Sequence, residues 1–167
     1  AMTFSKPYKK EGQSAWQGIL AFDLTLSQIS DYFRSLEIGR TGFVFVIEPN
    51  GELVGTSGEA EPFATIDGKV QRLHAGDSPD RFIRDTAQFL RQELSYPLSV
   101  DQDVDLFFTS GTEEIFLRVS SFSHPSGLDW IIVVGLPESD FMGPIHESTR
   151  QTILLCLLIL LLTIWVQ

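Results

Sequence analysis

Three aspartates at alternate positions form the densest group of candidate metal ligands in the sequence. Asp101, Asp103 and Asp105 lie in the stretch DQDVD, which has the spacing of the first ligands of a calcium-binding loop. Such a loop also requires glycine at its sixth position and glutamate at its twelfth. Leu106 and Thr112 stand there instead. The alternation therefore predicts a strand that carries carboxylates on its solvent face, and no calcium site.

Arg118 is the one basic residue in the stretch EIFLRVSSF and is a candidate for binding a ligand carboxylate through its two-pronged guanidinium. The competing interpretation is a cross-strand ion pair. A turn at residues 111–112 would place Asp105 opposite Arg118, and a turn at residues 110–111 would place Asp103 there. Both registers supply an aspartate, so the sequence favours the structural ion pair.

No other side chains have a spacing typical of catalysis or metal binding. His74, His124 and His146 are scattered, and Cys156 is the only cysteine. A zinc site or a disulfide would need more convergent ligands. No serine has the context of a catalytic nucleophile. We predict no catalytic residue, no metal and no cofactor.

Net charge narrows the classes of partner. The 167 residues include 22 acidic and 12 basic side chains, which gives a formal charge of -10. That charge repels phosphate backbones, so the chain is not expected to bind nucleic acid. The length suits one domain with a sizeable core.

Capping signals and apolar periodicity predict two helices. Thr25 and Gln28 have the spacing of a capping box, which predicts a helix over residues 26–38 that ends at Gly39. A second helix is predicted to begin with Ser78 as N-cap and Pro79 at the first helical position, and to end at Pro97.

Strand signals occur in two blocks. The stretch TGFVFVIEPNGELVGTSG predicts a hairpin around an Asn-Gly turn. The stretches VDLFFTS, EIFLRVSSF and DWIIVVGL predict a three-stranded meander. Residues 58–77, rich in Gly, Asp, Glu and Pro, are predicted to form a long loop. The fold class that follows is α+β, with one five-stranded antiparallel sheet flanked by helices.

The last residues form an apolar run that differs from the rest of the chain. Residues 153–166 contain no charged residue and one polar residue, Thr163. As a helix they would span roughly 21 Å at ~1.5 Å per residue, short of the ~30 Å of a bilayer core. A buried core helix would normally be amphipathic, and this run has no polar face. We therefore expect residues 152–167 to be the first part of a transmembrane helix.

These stretches resemble bacterial extracytoplasmic Cache sensor domains, which are PAS-like modules. The resemblance rests on GILAFDLTLSQISDYFRSLEIGRTGFVFVIEPNGELVGTS, on SPDRFIRDTAQFL, and on GLDWIIVVGLPESDFMGPI followed by the apolar run. The chain is similar to the membrane-proximal half of a double-Cache domain and the start of the next transmembrane helix. The resemblance implies four segments: residues 1–17 as a cloning remnant or the tail of a distal half, 18–138 as the PAS-like sensor, 139–151 as a juxtamembrane helix, and 152–167 in the membrane.

The same resemblance implies the function. It predicts a homodimeric receptor in the bacterial inner membrane, with the sensor outside the cytoplasm and a histidine kinase or cyclase inside. In this receptor, the helix predicted over residues 26–38 is expected to be a dimer or inter-domain element. A small molecule, or a shift in a distal half, would provide the signal. The alternative is a structural or dimerisation spacer of a membrane-anchored enzyme, with no ligand of its own. We do not expect this domain itself to be an enzyme.

A ligand pocket is expected between the sheet and residues 58–77. Phe45, Tyr96, Phe116 and Arg118 are the predicted ligand-binding residues. The three aromatic side chains would form its walls, and the guanidinium would bind a ligand carboxylate.

Overall fold

A computed structural model describes residues 2–12, 15–66, 68–94, 98, 102–125 and 127–140 of the chain. Nine strands, two α-helices and one 3-10 turn occur in these ranges. In chain order they are β1 (Met2–Tyr8), β2 (Gly18–Leu24), α1 (Leu26–Arg34), β3 (Phe43–Ile47), β4 (Leu53–Thr56), β5 (Phe63–Ile66), β6 (Lys69–Arg72), the 3-10 turn (Ala75–Asp77), α2 (Arg81–Glu93), β7 (Val104–Ser110), β8 (Glu113–His124) and β9 (Leu128–Pro137).

The centre of the fold is a five-stranded antiparallel sheet with strand order β4-β3-β9-β8-β7. The β3–β4 pair comes from the predicted Asn-Gly hairpin, and β7 to β9 form the predicted meander. The α+β class with a large antiparallel sheet is therefore confirmed, and the arrangement is consistent with the PAS-like fold that the resemblance implies.

The two faces of the sheet are covered unequally. Helix α2 packs on one face, where Phe45, Ile83 and Leu117 belong to the main hydrophobic core. Helix α1 packs on the opposite face through Ile29, above β4. Each strand contributes alternate residues to the two faces.

Helix α1 begins where the sequence predicts and ends earlier. The Thr25 hydroxyl accepts a hydrogen bond from the Gln28 backbone N–H, and the Gln28 side chain accepts one from the Thr25 N–H, so the capping box is present. The helix ends at Arg34, because Ser35 caps it and donates its hydroxyl proton to the Tyr32 carbonyl. The prediction that it continues to residue 38 was wrong.

Residues 58–77 are not one long loop. Strands β5 and β6 form a hairpin with Gly68 at its turn in the left-handed conformation, and the 3-10 turn follows. The loop prediction was wrong because it rested on polar composition alone. The Asp-Gly pair between Ile66 and Lys69 is a strong hairpin signal in the sequence.

The N-cap of helix α2 lies two residues later than predicted. The Asp80 carboxylate, not the Ser78 hydroxyl, accepts the Phe82 N–H at 2.9 Å and the Ile83 N–H at 3.4 Å. A carboxylate is a stronger acceptor at the positive end of a helix than a hydroxyl. Ser78 instead accepts the Asp80 N–H, so it shapes the turn before the helix.

The sequence interpretation assigned no strand before α1, but β1 and β2 pair antiparallel as a hairpin. Many of its apolar side chains are exposed, including Ile19 at 75% and Phe22 at 60%.

The terminal segment lies outside the described residues. The expected juxtamembrane helix over residues 139–151 is described only as far as Asp140, and the expected transmembrane residues 152–167 are not described. Within the described part of the chain, no helix combines the length and the apolar character needed to cross a bilayer.

Candidate functional site

A cleft of about 910 Å³ opens at one end of the central sheet. Five parts of the chain border it: Met2 of β1, the start of α1, the β3–β4 turn, the β5–β6 hairpin and the β8–β9 turn with the start of β9. The lining residues are Met2, Thr25, Leu26, Ser27, Glu48, Pro49, Asn50, Phe63, Val70, Gln71, Arg72, Gly127, Leu128, Asp129 and Trp130. The volume is within the usual range for small-molecule sites, about 300–1,000 Å³.

Local turn chemistry fixes the walls of this cleft. Gly51 has φ 83°, which lets the chain reverse after Asn50, whose side-chain oxygen accepts the Glu52 N–H at 3.0 Å. Gly127 has φ 91° and reverses the chain into β9. The capping box sets the entry angle of α1 on the opposite wall.

Arg72 joins the β5–β6 hairpin to the end of the sheet. Its Nε and Nη2 atoms donate to the carbonyl oxygens of Glu52 and Leu53 at 3.1–3.3 Å. Its Nη1 atom lies 2.8 Å from Glu48 and 3.2 Å from Glu52. All three nitrogens of this half-buried guanidinium are therefore engaged by the protein, and the wall is held in place.

The remaining charges on the lining are negative. Glu48 uses one carboxylate oxygen on Arg72. Asp129 is exposed and accepts a hydrogen bond from the Ser123 hydroxyl at 2.9 Å. Trp130 and Phe63 add partly exposed aromatic surface between these groups.

The predicted ligand-binding residues do not meet at this cleft. Phe45 is completely buried in the core, between the sheet and α2. Phe116 is half-buried and packs against Phe107 on the opposite face, with ring centroids 5.1 Å apart. Tyr96 lies outside the described residues. Neither phenylalanine contacts the cleft, so the expected aromatic walls are supplied by other residues.

Arg118 takes the structural role that the sequence favoured. Asp105 is directly opposite it in the β7–β8 pair, as the turn at residues 111–112 predicted. The guanidinium nevertheless reaches both aspartates, at 3.2 Å from Asp103 and 3.8 Å from Asp105. A hydrogen bond from Ser120 and one from Arg118 lower the pKa of Asp103 below its ordinary value. All three side chains are exposed, and none lines the cleft.

The location of the pocket was predicted in part. Residues 58–77 do border the cleft, through Phe63, Val70, Gln71 and Arg72. Sequence reasoning missed its other walls, because they come from turns that are far apart in the chain. A signal that could have found one of them is the Asn50-Gly51 pair, since it marks the tight reversal between β3 and β4.

A second polar arrangement lies where the chain leaves the sheet. Asp140 Oδ2 accepts the backbone N–H groups of Arg40 and Thr41, both at 2.8 Å, and Oδ1 accepts the Thr41 hydroxyl at 2.8 Å. Burial opposes ionisation of this carboxyl, but these hydrogen bonds and the charge of Arg40 outweigh it, so the pKa of Asp140 is lowered. We call Asp140, Arg40 and Thr41 the exit junction.

The two histidines that the structure describes, His74 and His124, lie in separate places. His74 Nδ1 accepts the Gly76 N–H at 3.2 Å. His124 is the last residue of β8, and His146 is outside the described residues. In the ranges that the structure covers, no three His, Cys, Asp or Glu side chains converge as metal ligands.

Comparison with known proteins gives distant structural likeness only. No family model matches the chain, and no curated protein matches its sequence. The extracellular domain of the proposed histidine kinase mmHK1S-Z3 is 12% identical with a TM-score of 0.42, over 87% of this chain and 47% of that one. For mmHK1S-Z2 the identity is 16%, the TM-score 0.43 and the coverage 84% and 46%.

A third structure is the ligand-binding domain of the Pseudomonas aeruginosa PAO1 amino acid chemoreceptor PctB in complex with L-Arg. It is 18% identical with a TM-score of 0.41, over 82% of this chain and 47% of that one. The chain thus spans about half the length of the structures it resembles. TM-scores this low do not assign a function to the chain.

Proposed function

We propose that this chain is the extracytoplasmic sensory domain of a bacterial transmembrane receptor. A small molecule binds in the cleft, and the change is relayed through the exit junction to the segment that follows. The observation that carries the proposal is geometric: the same two strands border the cleft at one end and the exit junction at the other.

Strands β3 and β9 form this connection. β9 starts at Leu128, in the cleft, and ends at Pro137, three residues before Asp140. β3 starts two residues after Thr41 and ends next to Glu48, in the cleft. The strands pair along their shared length, and at ~3.3 Å per residue β9 spans roughly 33 Å. A displacement of the cleft wall is thereby passed along paired strands.

The exit junction supports the relay because it ties together two parts of the chain that are far apart in sequence. Asp140 is on the segment that leads to the apolar run, and its partners Arg40 and Thr41 precede β3. Breaking or tightening these hydrogen bonds changes the position of the outgoing segment relative to the sheet. A ligand that binds one arrangement better than the other shifts their populations.

The output and its place in the cell follow from the apolar run. Residues 153–166 have the composition of a membrane-spanning helix. We propose that they cross the bacterial inner membrane, that the receptor is a homodimer, and that the cytoplasmic output is a histidine kinase or cyclase. We propose that the sensory domain itself performs no reaction.

A thermal-shift screen of the full chain against amines, amino acids and carboxylic acids tests ligand binding. A ligand at 100 times its Kd stabilises the fold by about 2.7 kcal/mol, which raises Tm by about 5–10 °C in a chain of this size. Val70→Trp should abolish the shift, since Val70 lines the cleft. Lys69→Trp is the matched control, because Lys69 is exposed on the same strand and does not line the cleft.

Hydrogen exchange tests the relay. A ligand from that screen should slow exchange of the Arg40 and Thr41 amides, and Asp140→Asn should reduce this effect without abolishing binding. If no compound raises Tm in a way that Val70→Trp removes, the domain is a structural or dimerisation spacer. If binding leaves the two amides unchanged, the cleft is a ligand site without a relay.

A further inference from the structure

We infer that the ligand of the cleft is a small organic cation, with a protonated or quaternary nitrogen on an apolar body and no carboxylate. This inference rests on the proposed function and specifies its ligand class. Three observations support it: the Arg72 guanidinium is already engaged by the protein, the lining carries the carboxylates of Glu48 and Asp129, and aromatic side chains also line the cleft.

The guanidinium of Arg72 is not available to an anionic ligand. Its nitrogens already contact two carboxylates and two backbone carbonyls. An incoming carboxylate would have to displace Glu48 or Glu52, and it would meet the negative charge of the displaced group. Arg72 is the only positively charged side chain among the cleft lining that the structure describes. A ligand carboxylate therefore has no free cation to bind.

The carboxylates favour a cation. Glu48 and Glu52 together place two negative charges on one guanidinium, which leaves one uncompensated. Asp129, the second residue of β9, adds another at an exposed position. A protonated amine can donate hydrogen bonds to the carboxylates of the lining, and such charge-assisted hydrogen bonds are stronger than neutral ones.

The apolar lining suits the rest of such a molecule. Trp130 packs its ring against Phe122, with centroids 6.2 Å apart, which holds it in place at the start of β9. Phe63 supplies a second ring from β5, and Leu26 and Leu128 add aliphatic surface. Aromatic faces attract cations as well as covering apolar groups. The cleft therefore matches a cation with an apolar body better than a bare inorganic ion.

Three probes of nearly equal size test the charge requirement on the full chain. They are 2-phenylethylamine, L-phenylalanine, which adds a carboxylate to the same body, and 3-phenylpropionate, which carries only the carboxylate. Binding is followed by ¹H–¹⁵N chemical shifts of the cleft amides and of the Trp130 indole. We expect the amine to bind about tenfold or more tightly than the anion, with affinity falling as salt is raised.

Two charge-neutral variants and a control make the test specific. Asp129→Asn and Glu48→Gln should each weaken the amine by about two- to fivefold, as for partly exposed ion pairs. Glu114→Gln, on an exposed strand position away from the cleft, should leave its affinity unchanged. The dispersion of each variant's spectrum reports whether it is folded.

The outcomes separate this inference from the proposed function. If the anion or the zwitterion binds in the cleft as tightly as the amine, the ligand class is wrong and the sensory proposal stands. The inference also fails if the amine shifts no cleft amide at millimolar concentration, or if Glu114→Gln weakens it as much as Asp129→Asn. Failure of the sensory proposal itself is a different result, namely a full compound screen without any cleft ligand.

Discussion

Replacing Asp140 by asparagine perturbs the exit junction with little change of shape. The carboxylate accepts three hydrogen bonds, from two backbone N–H groups and one hydroxyl. Hydrogen bonds to a charged group contribute about 1.5–3 kcal/mol, and neutral ones about 0.5–1.5 kcal/mol. Both N–H groups point at Oδ2, so an asparagine oxygen can keep them in weaker form. We expect Asp140→Asn to lose about 1–2 kcal/mol and Asp140→Ala about 2–3 kcal/mol, after discounting for partial solvent exposure.

Urea unfolding measures this loss as a lower midpoint at an unchanged slope. Amide exchange at Arg40 and Thr41 should accelerate in both Asp140 variants, because their acceptor is weakened or removed. Glu138→Gln is the control, since it removes one negative charge from the same short helical turn at an exposed position. Its midpoint and the exchange at the two amides should equal those of the wild type.

The pH dependence of the same difference checks its electrostatic origin. The pKa of Asp140 is lower in the folded chain than its ordinary value of 3.8. As pH falls, the unfolded chain therefore takes up the proton first, and the contribution of the carboxylate is lost between the two pKa values. The stability gap between wild type and Asp140→Asn should be constant at neutral pH and shrink as pH falls below about 4.

Two results would refute this reasoning. One is an Asp140→Asn variant as stable as the wild type with unchanged amide exchange, which would mean that the three hydrogen bonds are fully replaced by water. The other is a stability gap that persists unchanged at the lowest pH at which the chain is folded.

Further predictions concern the cleft wall and the core. Arg72→Met should destabilise the fold by about 2–3 kcal/mol, because it leaves carboxylates and carbonyls without their partner; urea unfolding measures this, and an equal loss in Lys69→Met would contradict the assigned role. Gly135→Ala should cost about 1–3 kcal/mol, because the new methyl group would collide with the Phe43 ring. Gly18→Ala, where the added carbon meets nothing within 4 Å, is its control. Comparable Tm values for both variants would contradict the close packing of Phe43 on Gly135.

The sheet could be predicted because its signals are local. The Asn-Gly turn after Pro49 and the alternating pattern of the meander identify five strands and their antiparallel order along the chain. The capping box at Thr25 similarly gives the start of α1. The β7–β8 register is also one of the two that the sequence allowed. It is the one with the turn at residues 111–112, which places Asp105 opposite Arg118. Each of these features depends on residues only a few positions apart.

The rest depends on contacts that no local pattern contains. The β1–β2 hairpin exposes apolar side chains such as Ile19, so its sequence lacks the inward-outward contrast that marks a half-buried strand. Helix α1 ends early because of a hydroxyl of Ser35 that competes with the backbone. The cleft combines segments that are far apart in the chain, and Arg72 is held there by carbonyl and carboxylate groups about 20 residues earlier. Composition alone could not show that its charge is already satisfied.

The energies of these contacts limit what the relay can do. A loss of about 1–2 kcal/mol at the exit junction corresponds to a population change of about 5–30-fold. Moving a receptor from 1:99 to 99:1 requires about 5.5 kcal/mol of differential ligand affinity. The junction alone therefore cannot operate as a complete switch. It can bias the outgoing segment, while most of the free energy has to come from a ligand that makes more contacts with the cleft in one state than in the other. Glu48 and Asp129, at the cleft ends of the paired strands β3 and β9, are two carboxylates that a cationic ligand can contact.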